Sequence, residues 1–378
     1  MRGALRRAAP ALALYAAARL TGLVLAALVA VWTNRPLEQL WTSLGASWDS
    51  KWYMGIAQHG YGTVVVSRTP GLSYNDMAFF PLYPALERAV ATVLPVGTVT
   101  AGLAVAWLSA GAAAVGIYLV GERLYRRRVA VALVLLWGLL PHAIVETMAY
   151  SESLLTALAA FSLHAVLRRR WLWAGFLAML AGLTRPNGLA VATAVLVGAA
   201  LLLWRSGDAR RDWRVWTGAA IAPLGWLGYV AWVGQRAGKL FGYFRIQSNW
   251  GSRFDFGAGQ LEFLKHVFMD RGTPAHLTYY MGAAVVLVGL VALVLFALDR
   301  PSLPVFVYAL VLVIIAIGGT KFYACKPRFL LPAFPLLIPA AIALTRARPR
   351  TAVVLVASVA MFSFVYGTHV LFFATNAP

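Results

Sequence analysis

The feature that most constrains this sequence is a series of long apolar segments that recurs from one end of the chain to the other. Apolar runs of roughly 18 to 25 residues are long enough to cross about 30 Å of hydrocarbon as helices. The composition agrees, because 61% of the 378 residues are hydrophobic and only 12% are charged. We therefore predict an all-α polytopic membrane protein that forms a single domain over 1–378. The eleven expected spans are 9–32, 98–121, 129–148, 151–167, 171–186, 188–204, 215–235, 276–298, 303–320, 329–345 and 351–373.

The basic residues between these segments predict the orientation of the chain. Arginine-rich connections such as 126–128 and 168–170 all fall on one side, together with the basic N-terminus. That side holds 18 Lys and Arg against 4 Asp and Glu, whereas the opposite side holds 14 against 9. Because cytoplasmic loops carry an excess of Lys and Arg, the N-terminus is expected in the cytoplasm. The net charge of +20 follows this loop pattern, so no nucleic-acid partner is predicted.

Two connections are much longer than the others, 33–97 and 236–275, and both fall on the extracytoplasmic side. Long loops carry function more often than short ones, so we expect the chemistry outside the cytoplasm. Within the first loop, residues 82–94 mix apolar side chains with Glu87 and Arg88, which predicts a helix lying in the membrane interface. A re-entrant or short spanning helix is the alternative for this segment.

The first long loop places one carboxylate between tryptophans, in a chain with only 13 acidic residues. Asp49 follows Trp48 and precedes Lys51, Trp52 and Tyr53. An aspartate in a loop is often a helix cap, and interfacial aromatic residues are often membrane anchors. A carboxylate can also act as a general base, and aromatic rings stack on sugar faces. Asp49 is therefore the candidate catalytic base, and the four neighbours are candidate substrate-binding residues.

Further ionisable residues fall at the outer ends of predicted spans. Glu152 begins one span, Arg185 lies two residues before Asn187 at the junction of the next pair, and Lys326 and Arg328 precede a later span. Charged groups near membrane depth usually pair with one another or line a polar cavity. A structural Glu–Arg pair and charge capping of span ends are the plain interpretations. The functional interpretation assigns Arg185, Lys326 and Arg328 to a phosphate, because Arg and Lys recognise phosphate groups, and Glu152 and Asn187 to the substrate.

The second long loop combines polar and aromatic residues, among them Gln247 and Trp250. This combination is typical of carbohydrate recognition, although a solvated loop has the same composition. The sequence contains no GxGxxG, Walker, HExxH or CxxC pattern, its histidines lack ligand spacing, and Cys325 is its single cysteine. No metal and no cofactor are therefore predicted.

The order of these motifs resembles that of a known family. The matching residues in the first loop are Trp48-Asp49, Tyr53, Ile56-Ala57, Gly60-Tyr61 and Ala78-Phe79-Phe80-Pro81-Leu82-Tyr83-Pro84. They resemble the first luminal loop of the PIG-V family, which contains the second mannosyltransferase of GPI-anchor assembly and its bacterial relatives. Ser151-Glu152-Ser153 and Arg185-x-Asn187-Gly188 resemble later motifs of that family. Lys326-x-Arg328-Phe329-Leu330-x-Pro332-x-x-Pro335 is similar to a segment of many GT-C glycosyltransferases.

This resemblance implies a GT-C fold and an inverting mannosyl transfer from a polyprenyl-phosphate-mannose donor, outside the cytoplasm. It implies that Asp49 deprotonates the acceptor hydroxyl and that the lipid phosphate leaves. The acceptor would be a lipid, a glycan or a protein. Abundant Ala, Arg, Gly and Val with only five Lys suggests GC-rich bacterial coding, so the chain is expected in a bacterial plasma membrane. The sequence departs from eukaryotic relatives at Tyr323-Ala324-Cys325, where acidic residues often stand in those enzymes.

Two other function classes are weighed against glycosyl transfer. A transporter or lipid flippase should show broken spans in matching halves with charges near mid-membrane, whereas the charges here gather at outer span ends. A non-catalytic membrane subunit that holds another enzyme would not require Asp49. The sequence also leaves open a small membrane partner subunit.

Overall fold

The computed structural model describes residues 2–66, 73–269 and 276–377, so 67–72 and 270–275 of the two long loops lie outside the described residues. Helices make up 79% of the structure, which confirms the predicted all-α class. A short antiparallel hairpin pairs β1 (Val64–Val66) with β2 (Ser73–Asn75). The helices are α1 (Arg2–Trp32), α2 (Leu37–Gly45), α3 (Asp49–His59), α4 (Leu82–Val93), α5 (Thr98–Leu124), α6 (Arg127–Gly138), α7 (Glu152–Leu167), α8 (Trp171–Gly182), α9 (Leu189–Arg205), α10 (Trp213–Ile221), α11 (Leu224–Arg236), α12 (Gly242–Asn249), α13 (Ala258–Met269), α14 (Leu277–Leu298), α15 (Leu303–Gly318), α16 (Lys326–Leu330), α17 (Ile338–Arg346) and α18 (Pro349–Phe372).

Within the described part of the chain, five helices are long and apolar enough to cross a membrane. They are α1, α5, α9 with the turn before it, α14 and α18. A bent pair, Tyr323–Leu330 with Phe334–Arg346, makes a sixth span if it is counted as one, and its two halves meet at 80°. The helices α7, α8 and α15 are apolar but shorter. The chain is an integral membrane protein.

Three of the predicted spans are interrupted in the structure. The prediction of one continuous helix over 129–148 is wrong, because α6 ends at Gly138 and a separate 3-10 turn covers Ala143–Thr147. The predicted span 215–235 is divided into α10 and α11, and 329–345 is divided between α16 and α17. Each break contains a proline, which lacks a backbone N–H and clashes with the preceding helical turn. These prolines are Pro141, Pro223, Pro332 and Pro335.

The first long loop is folded rather than extended. It forms α2, α3, the β-hairpin and α4, so the helix predicted at 82–94 is confirmed as α4. The carboxylate of Asp76 fixes the hairpin, because its Oδ2 accepts hydrogen bonds from the backbone N–H groups of Gly62 and Thr63 at 2.8 and 2.7 Å. Tyr229 on α11 donates to the carbonyl of Phe79 at 2.6 Å, which ties the loop to the helical body.

The main core lies where α5 packs against α6 and α7, and where α1 packs against α5 and α6. Trp137 of α6 is completely buried and stacks on Tyr15 of α1, with ring centroids 5.3 Å apart. Its indole N–H donates to the carbonyl of Leu331 at 3.1 Å, close to the bend between α16 and α17. Elsewhere in the helical body, Gly175 of α8 and Gly218 of α10 allow their helices to touch, because a Cβ on Gly175 would lie only 2.1 Å from the Gly218 carbonyl oxygen.

The segment between α6 and α7 is buried although little of it is helical. Non-helical backbone at membrane depth requires partners inside the protein for its polar groups. Neighbouring elements provide them: the Trp107 indole donates to the Thr147 carbonyl at 2.9 Å, and the Ser363 hydroxyl donates to the Leu140 carbonyl at 2.8 Å. The Ala149 N–H donates to the Leu44 carbonyl at 2.9 Å. These contacts fix the start of α7 in position.

A buried glutamate in α4 should make the stability of the protein depend on pH. Glu87 is 2% exposed, and loss of solvation raises the pKa of its carboxyl from 4.5 to about 8. The folded protein therefore holds a proton that the unfolded chain releases, and stability should fall as the pH rises from about 4.5 to 8. We expect Glu87→Gln to flatten this dependence and to raise the thermal midpoint above that of the wild type at pH 8.

Thermal unfolding of the detergent-solubilised chain between pH 5 and 9 measures this effect. Glu38→Gln is the matched control, because Glu38 on α2 is exposed and its substitution should leave the pH dependence unchanged. Equal slopes for wild type and Glu87→Gln would contradict the prediction.

Candidate active site

Four charged residues from distant parts of the sequence meet at one place. Asp49 is the first residue of α3 and Glu152 the first residue of α7, where the helix dipole favours a negative charge. Arg185 lies in the turn between α8 and α9, and Arg328 lies in the short helix α16. All four therefore lie at helix ends or in short helical segments, where the backbone changes direction.

The two arginines and two carboxylates form a continuous chain of ion pairs. Arg328 Nη1 lies 2.9 Å from Asp49 Oδ2, and Arg328 Nε lies 3.1 Å from Glu152 Oε1. The same Glu152 oxygen lies 2.5 Å from Arg185 Nη1. The side chains of Glu152 and Arg328 are only 2% and 5% exposed, whereas that of Asp49 is 18% exposed. Two positive and two negative groups balance, which allows them to remain charged away from water.

Hydroxyl groups surround this ion-pair chain. Arg185 Nη1 donates to Ser151 Oγ at 3.2 Å, and Ser151 Oγ is hydrogen-bonded to the Tyr53 hydroxyl at 2.7 Å. The backbone N–H of Asp49 donates to the Tyr150 hydroxyl at 3.4 Å. Burial raises the pKa of Tyr53 to about 12, so this phenol stays neutral and takes part in the network as a hydrogen-bonding group.

The Arg328 guanidinium is also held by aromatic rings. Its central carbon lies 5.0 Å from the centroid of the Tyr150 ring and 5.3 Å from that of Phe329. Cation–π contacts of this kind stabilise a buried guanidinium and restrict its orientation.

The backbone immediately before Asp49 is strained. Trp48 adopts φ +48° and ψ −115°, a conformation that non-glycine residues rarely take. Such strain persists only where surrounding contacts impose it, and it is found most often at functional sites. The strained turn directs the start of α3, and with it the Asp49 carboxylate, toward the arginines.

The ion-pair chain forms part of the wall of a cavity of about 690 Å³. This volume is within the range of pockets that hold small molecules. Of the described residues that line it, Asp49 is the only acidic one, whereas several are basic. The charged and aromatic lining residues are Trp48, Asp49, Trp52, Tyr53, Tyr74, Phe79, Phe80, Arg185, Tyr243, Phe244, Trp250, Arg253, Phe254, Phe322, Lys326, Arg328 and Phe329.

A group of packed aromatic rings, which we call the aromatic wall, lies in the same cavity. It consists of Trp52, Phe79, Trp250 and Tyr74. Trp52 stacks on Phe79 with centroids 5.8 Å apart, and Trp250 meets Trp52 edge-on at 5.2 Å. The Trp250 indole donates to the Asn75 carbonyl at 3.1 Å, which fixes its orientation. Trp52 lies three residues after Asp49 on α3, so the two side chains project from neighbouring positions on one face of the helix.

Lys326 brings a further buried cation to the cavity. It is 2% exposed, its ammonium donates to the Gly319 carbonyl at 2.5 Å, and it lies 5.7 Å from the Tyr323 ring centroid. Lys326 and Arg328 are two residues apart in α16, and both line the cavity, so one short helix supplies two of its cations.

The structure brings most of the predicted site residues together. Those that line the cavity are Trp48, Asp49, Trp52, Tyr53, Arg185, Asn187, Gln247, Trp250, Lys326 and Arg328. Glu152 does not line the cavity but pairs with both arginines that do. The Glu–Arg pair considered as the plain interpretation is therefore present between Glu152 and Arg185. Lys51 is exposed and stands apart from the described lining residues, because it points away from the face of α3 that carries Asp49.

Asn187 and Gln247 are both engaged with the protein. The Asn187 amide donates to the Phe329 carbonyl at 3.4 Å, and the Gln247 amide donates to the Tyr243 hydroxyl at 2.8 Å and to the Ala78 carbonyl at 3.3 Å. Both N–H bonds of the Gln247 amide are therefore used within the protein, and its amide oxygen is the atom that can accept a hydrogen bond from a bound molecule.

Sequence reasoning did not assign roles to several residues of this region. Tyr150 and Ser151 contact Asp49 and Arg185, and their position next to Glu152 in the chain was the available signal. Tyr74 packs against Trp250 at 4.7 Å, but nothing in the pattern around it indicated the site.

Comparison with solved structures identifies the architecture. ArnT from Cupriavidus metallidurans bound to undecaprenyl phosphate superposes with a TM-score of 0.55 at 19% sequence identity, over 93% of this chain and 66% of that one. The apo form gives a TM-score of 0.51 at 18% identity, over 87% of this chain and 60% of that one. The fold is that of the GT-C membrane glycosyltransferases.

The chain spans about 60 to 66% of the length of these two ArnT chains. No protein-family model and no curated protein sequence matches it. The resemblance to the PIG-V family therefore stays a prediction from the motifs, whereas the GT-C fold is established by the structural match.

Removing the central carboxylate should destabilise the protein strongly. Glu152→Gln leaves two buried guanidinium groups close together with only Asp49 to balance them, and breaking a buried ion pair from one side costs about 3–5 kcal/mol. We expect a clear fall in the thermal midpoint of the purified protein.

Arg7→Gln is the control, because the Arg7–Glu122 ion pair has the same type of geometry at 3.0 Å but its arginine side chain is 52% exposed. Exposed pairs contribute about 1 kcal/mol or less. If the two variants lost equal stability, the charge balance inferred for the site would be wrong.

Proposed function

We propose that this chain is a glycosyltransferase that moves a sugar from a polyprenyl-phosphate donor to a hydroxyl group of a lipid, glycan or protein acceptor. The observation that carries the proposal is the contact of one cavity with both a partly exposed carboxylate, Asp49, and three buried cations, Arg185, Lys326 and Arg328. A base and a phosphate-binding group are the two functions that such a transfer requires. The GT-C fold and the binding of undecaprenyl phosphate by ArnT support this reaction class.

The proposed reaction is a single displacement. The Asp49 carboxylate accepts the proton of the acceptor hydroxyl while the hydroxyl oxygen forms a bond to the anomeric carbon of the donor sugar. The bond between that carbon and the phosphate oxygen breaks, and its electron pair stays on the departing lipid phosphate. Attack from the side opposite the leaving group inverts the anomeric centre.

The cations stabilise the charge that develops on the leaving phosphate. Arg328 can present two N–H groups to one phosphate, and Lys326 adds a compact charge from the same helix. Arg185 holds Glu152 and Ser151 and thereby maintains the position of Arg328. The phosphate–sugar bond is already activated, so the mechanism assigns every step to protein side chains.

Mannose is the proposed sugar, because the motifs around Asp49, Glu152, Arg185 and Arg328 resemble those of the PIG-V family. The charge pattern of the loops supports a cytoplasmic N-terminus and an extracytoplasmic site. A bacterial plasma membrane is proposed because abundant Ala, Arg, Gly and Val with only five Lys is typical of GC-rich bacterial coding. The transporter and subunit alternatives differ from this proposal in one respect that can be measured, because neither assigns a catalytic role to Asp49.

The first test of the function is the loss of the proposed base. Asp49→Asn keeps the shape of the side chain and a polar partner for Arg328, but its amide cannot accept the acceptor proton as a base. We expect transfer of radiolabelled mannose from polyprenyl-phosphate-mannose to native membrane lipids to fall about 10²- to 10⁴-fold. Incorporation equal to that of the wild type, with equal amounts of folded protein, would refute the catalytic role.

The aromatic wall provides a second test. Trp250→Ala removes a ring face without removing charge, so we expect the apparent KM for a sugar substrate to rise about two- to tenfold with a smaller effect on kcat. Trp204→Ala is the control, because Trp204 is 80% exposed at the end of α9 and stands outside the described cavity lining. A change in kcat alone would argue against sugar binding at this wall.

A further inference from the structure

The proposed base and the proposed phosphate-binding residue are paired with each other in this structure. Arg328 uses Nη1 for Asp49 and Nε for Glu152, so two carboxylates occupy its guanidinium. A donor phosphate needs the same guanidinium, and the acceptor hydroxyl needs the same Asp49 carboxylate. The Arg328–Asp49 ion pair, which we call the latch, therefore competes with both substrates, because it takes up Nη1 of the guanidinium and Oδ2 of the carboxylate.

We propose that the donor phosphate opens the latch by replacing Asp49 on Arg328, and that Asp49 becomes available to the acceptor only then. This inference rests on the proposed function and adds an order to it. The donor binds first, the acceptor is activated second, and departure of the lipid phosphate allows the ion pair to form again. Without donor, Arg328 keeps Asp49 from acting as a base.

The surroundings of Arg328 indicate which of its two ion pairs can break. Glu152 is 2% exposed and is also held by Arg185, so its release would leave a buried charge without a partner. Asp49 is 18% exposed and lines the cavity, so its carboxylate can turn toward solvent or substrate. The exchange therefore takes place on the Asp49 side of the guanidinium.

The guanidinium itself is held in place during this exchange. Tyr150 and Phe329 lie within 5.0 and 5.3 Å of its central carbon, and Glu152 remains at its Nε. A rigid cation with a replaceable partner attracts phosphate and carboxylate to the same site, and the two anions repel each other. Binding of one anion thus displaces the other.

Charge balance supports the same conclusion. Asp49, Glu152, Arg185 and Arg328 neutralise one another, so this group alone provides no net attraction for a phosphate while the latch is closed. Lys326, which lines the same cavity and donates to a neutral carbonyl, adds the positive charge for the first encounter. Release of Asp49 then gives the phosphate access to Arg328.

A double-mutant cycle tests the latch. The probe is a radiolabelled short-chain polyprenyl phosphate without sugar, and its equilibrium binding is measured on the purified full chain in detergent. Asp49→Asn removes the competing carboxylate charge, so we expect its Kd to fall about five- to tenfold relative to the wild type. In the Arg328→Gln background, Asp49→Asn should change the Kd by about twofold or less, because the cation for which the two anions compete is gone.

The cycle separates the latch from simple repulsion between Asp49 and the phosphate. Repulsion alone predicts equal tightening in both backgrounds, and this result would overturn the latch, as would unchanged or weaker binding by Asp49→Asn. Should Arg328→Gln fail to fold, Arg328→Lys replaces it. A lysine lacks the planar fork with which Arg328 faces both carboxylates, so it holds Asp49 less firmly. Asp49→Asn should then tighten binding less than in the wild-type background, and equal tightening would again overturn the latch.

The transfer assay keeps this inference separate from the proposed function. If Asp49→Asn abolishes transfer but does not tighten phosphate binding, Asp49 is the base and the latch is wrong. If Asp49→Asn still transfers sugar, the catalytic assignment fails, and with it the latch, whatever the binding result.

Discussion

The buried carboxylate of Glu152 lies between the guanidinium groups of Arg185 and Arg328, and the arrangement of the whole site follows from keeping these charges together. An unpaired charge in a low-dielectric interior is very unfavourable. The start of α7, the α8–α9 turn and α16 must therefore converge. The second cation can be balanced only by another carboxylate, and α3 supplies it as Asp49.

This convergence is achieved with irregular backbone. The charged residues lie where helices begin, end or bend, and prolines mark several of these places, including Pro141, Pro186 and Pro332. Side chains from other helices donate to the buried carbonyl groups that lack helical partners, as Trp107 does for Thr147. Such contacts make a non-helical segment possible at membrane depth and hold it in one conformation. The result is a set of charged groups on supports that have little freedom to move, which suits a preorganised site.

The cavity has a cationic side and an aromatic side, and one helix contacts both. Arg328 and Lys326 form the cationic side, while Trp52 and Trp250 belong to the aromatic wall. The helix α3 connects the two, because Asp49 and Trp52 lie one turn apart on it. A movement of α3 would therefore change the position of the carboxylate and of the aromatic wall together. In the proposed reaction, this linkage couples the binding of the donor to that of the acceptor.

Local patterns in the sequence determined much of this protein. Apolar segments specified a helical membrane protein because hydrocarbon requires satisfied backbone groups. The scarcity of acidic residues singled out Asp49, and the cost of a charge near membrane depth singled out Glu152. The tertiary structure alone decided that Arg328 joins these two carboxylates, that Lys51 points away from them, and that the span predicted at 129–148 is broken. Hydropathy and motif spacing report on residues close in the chain, whereas these features depend on how distant helices pack.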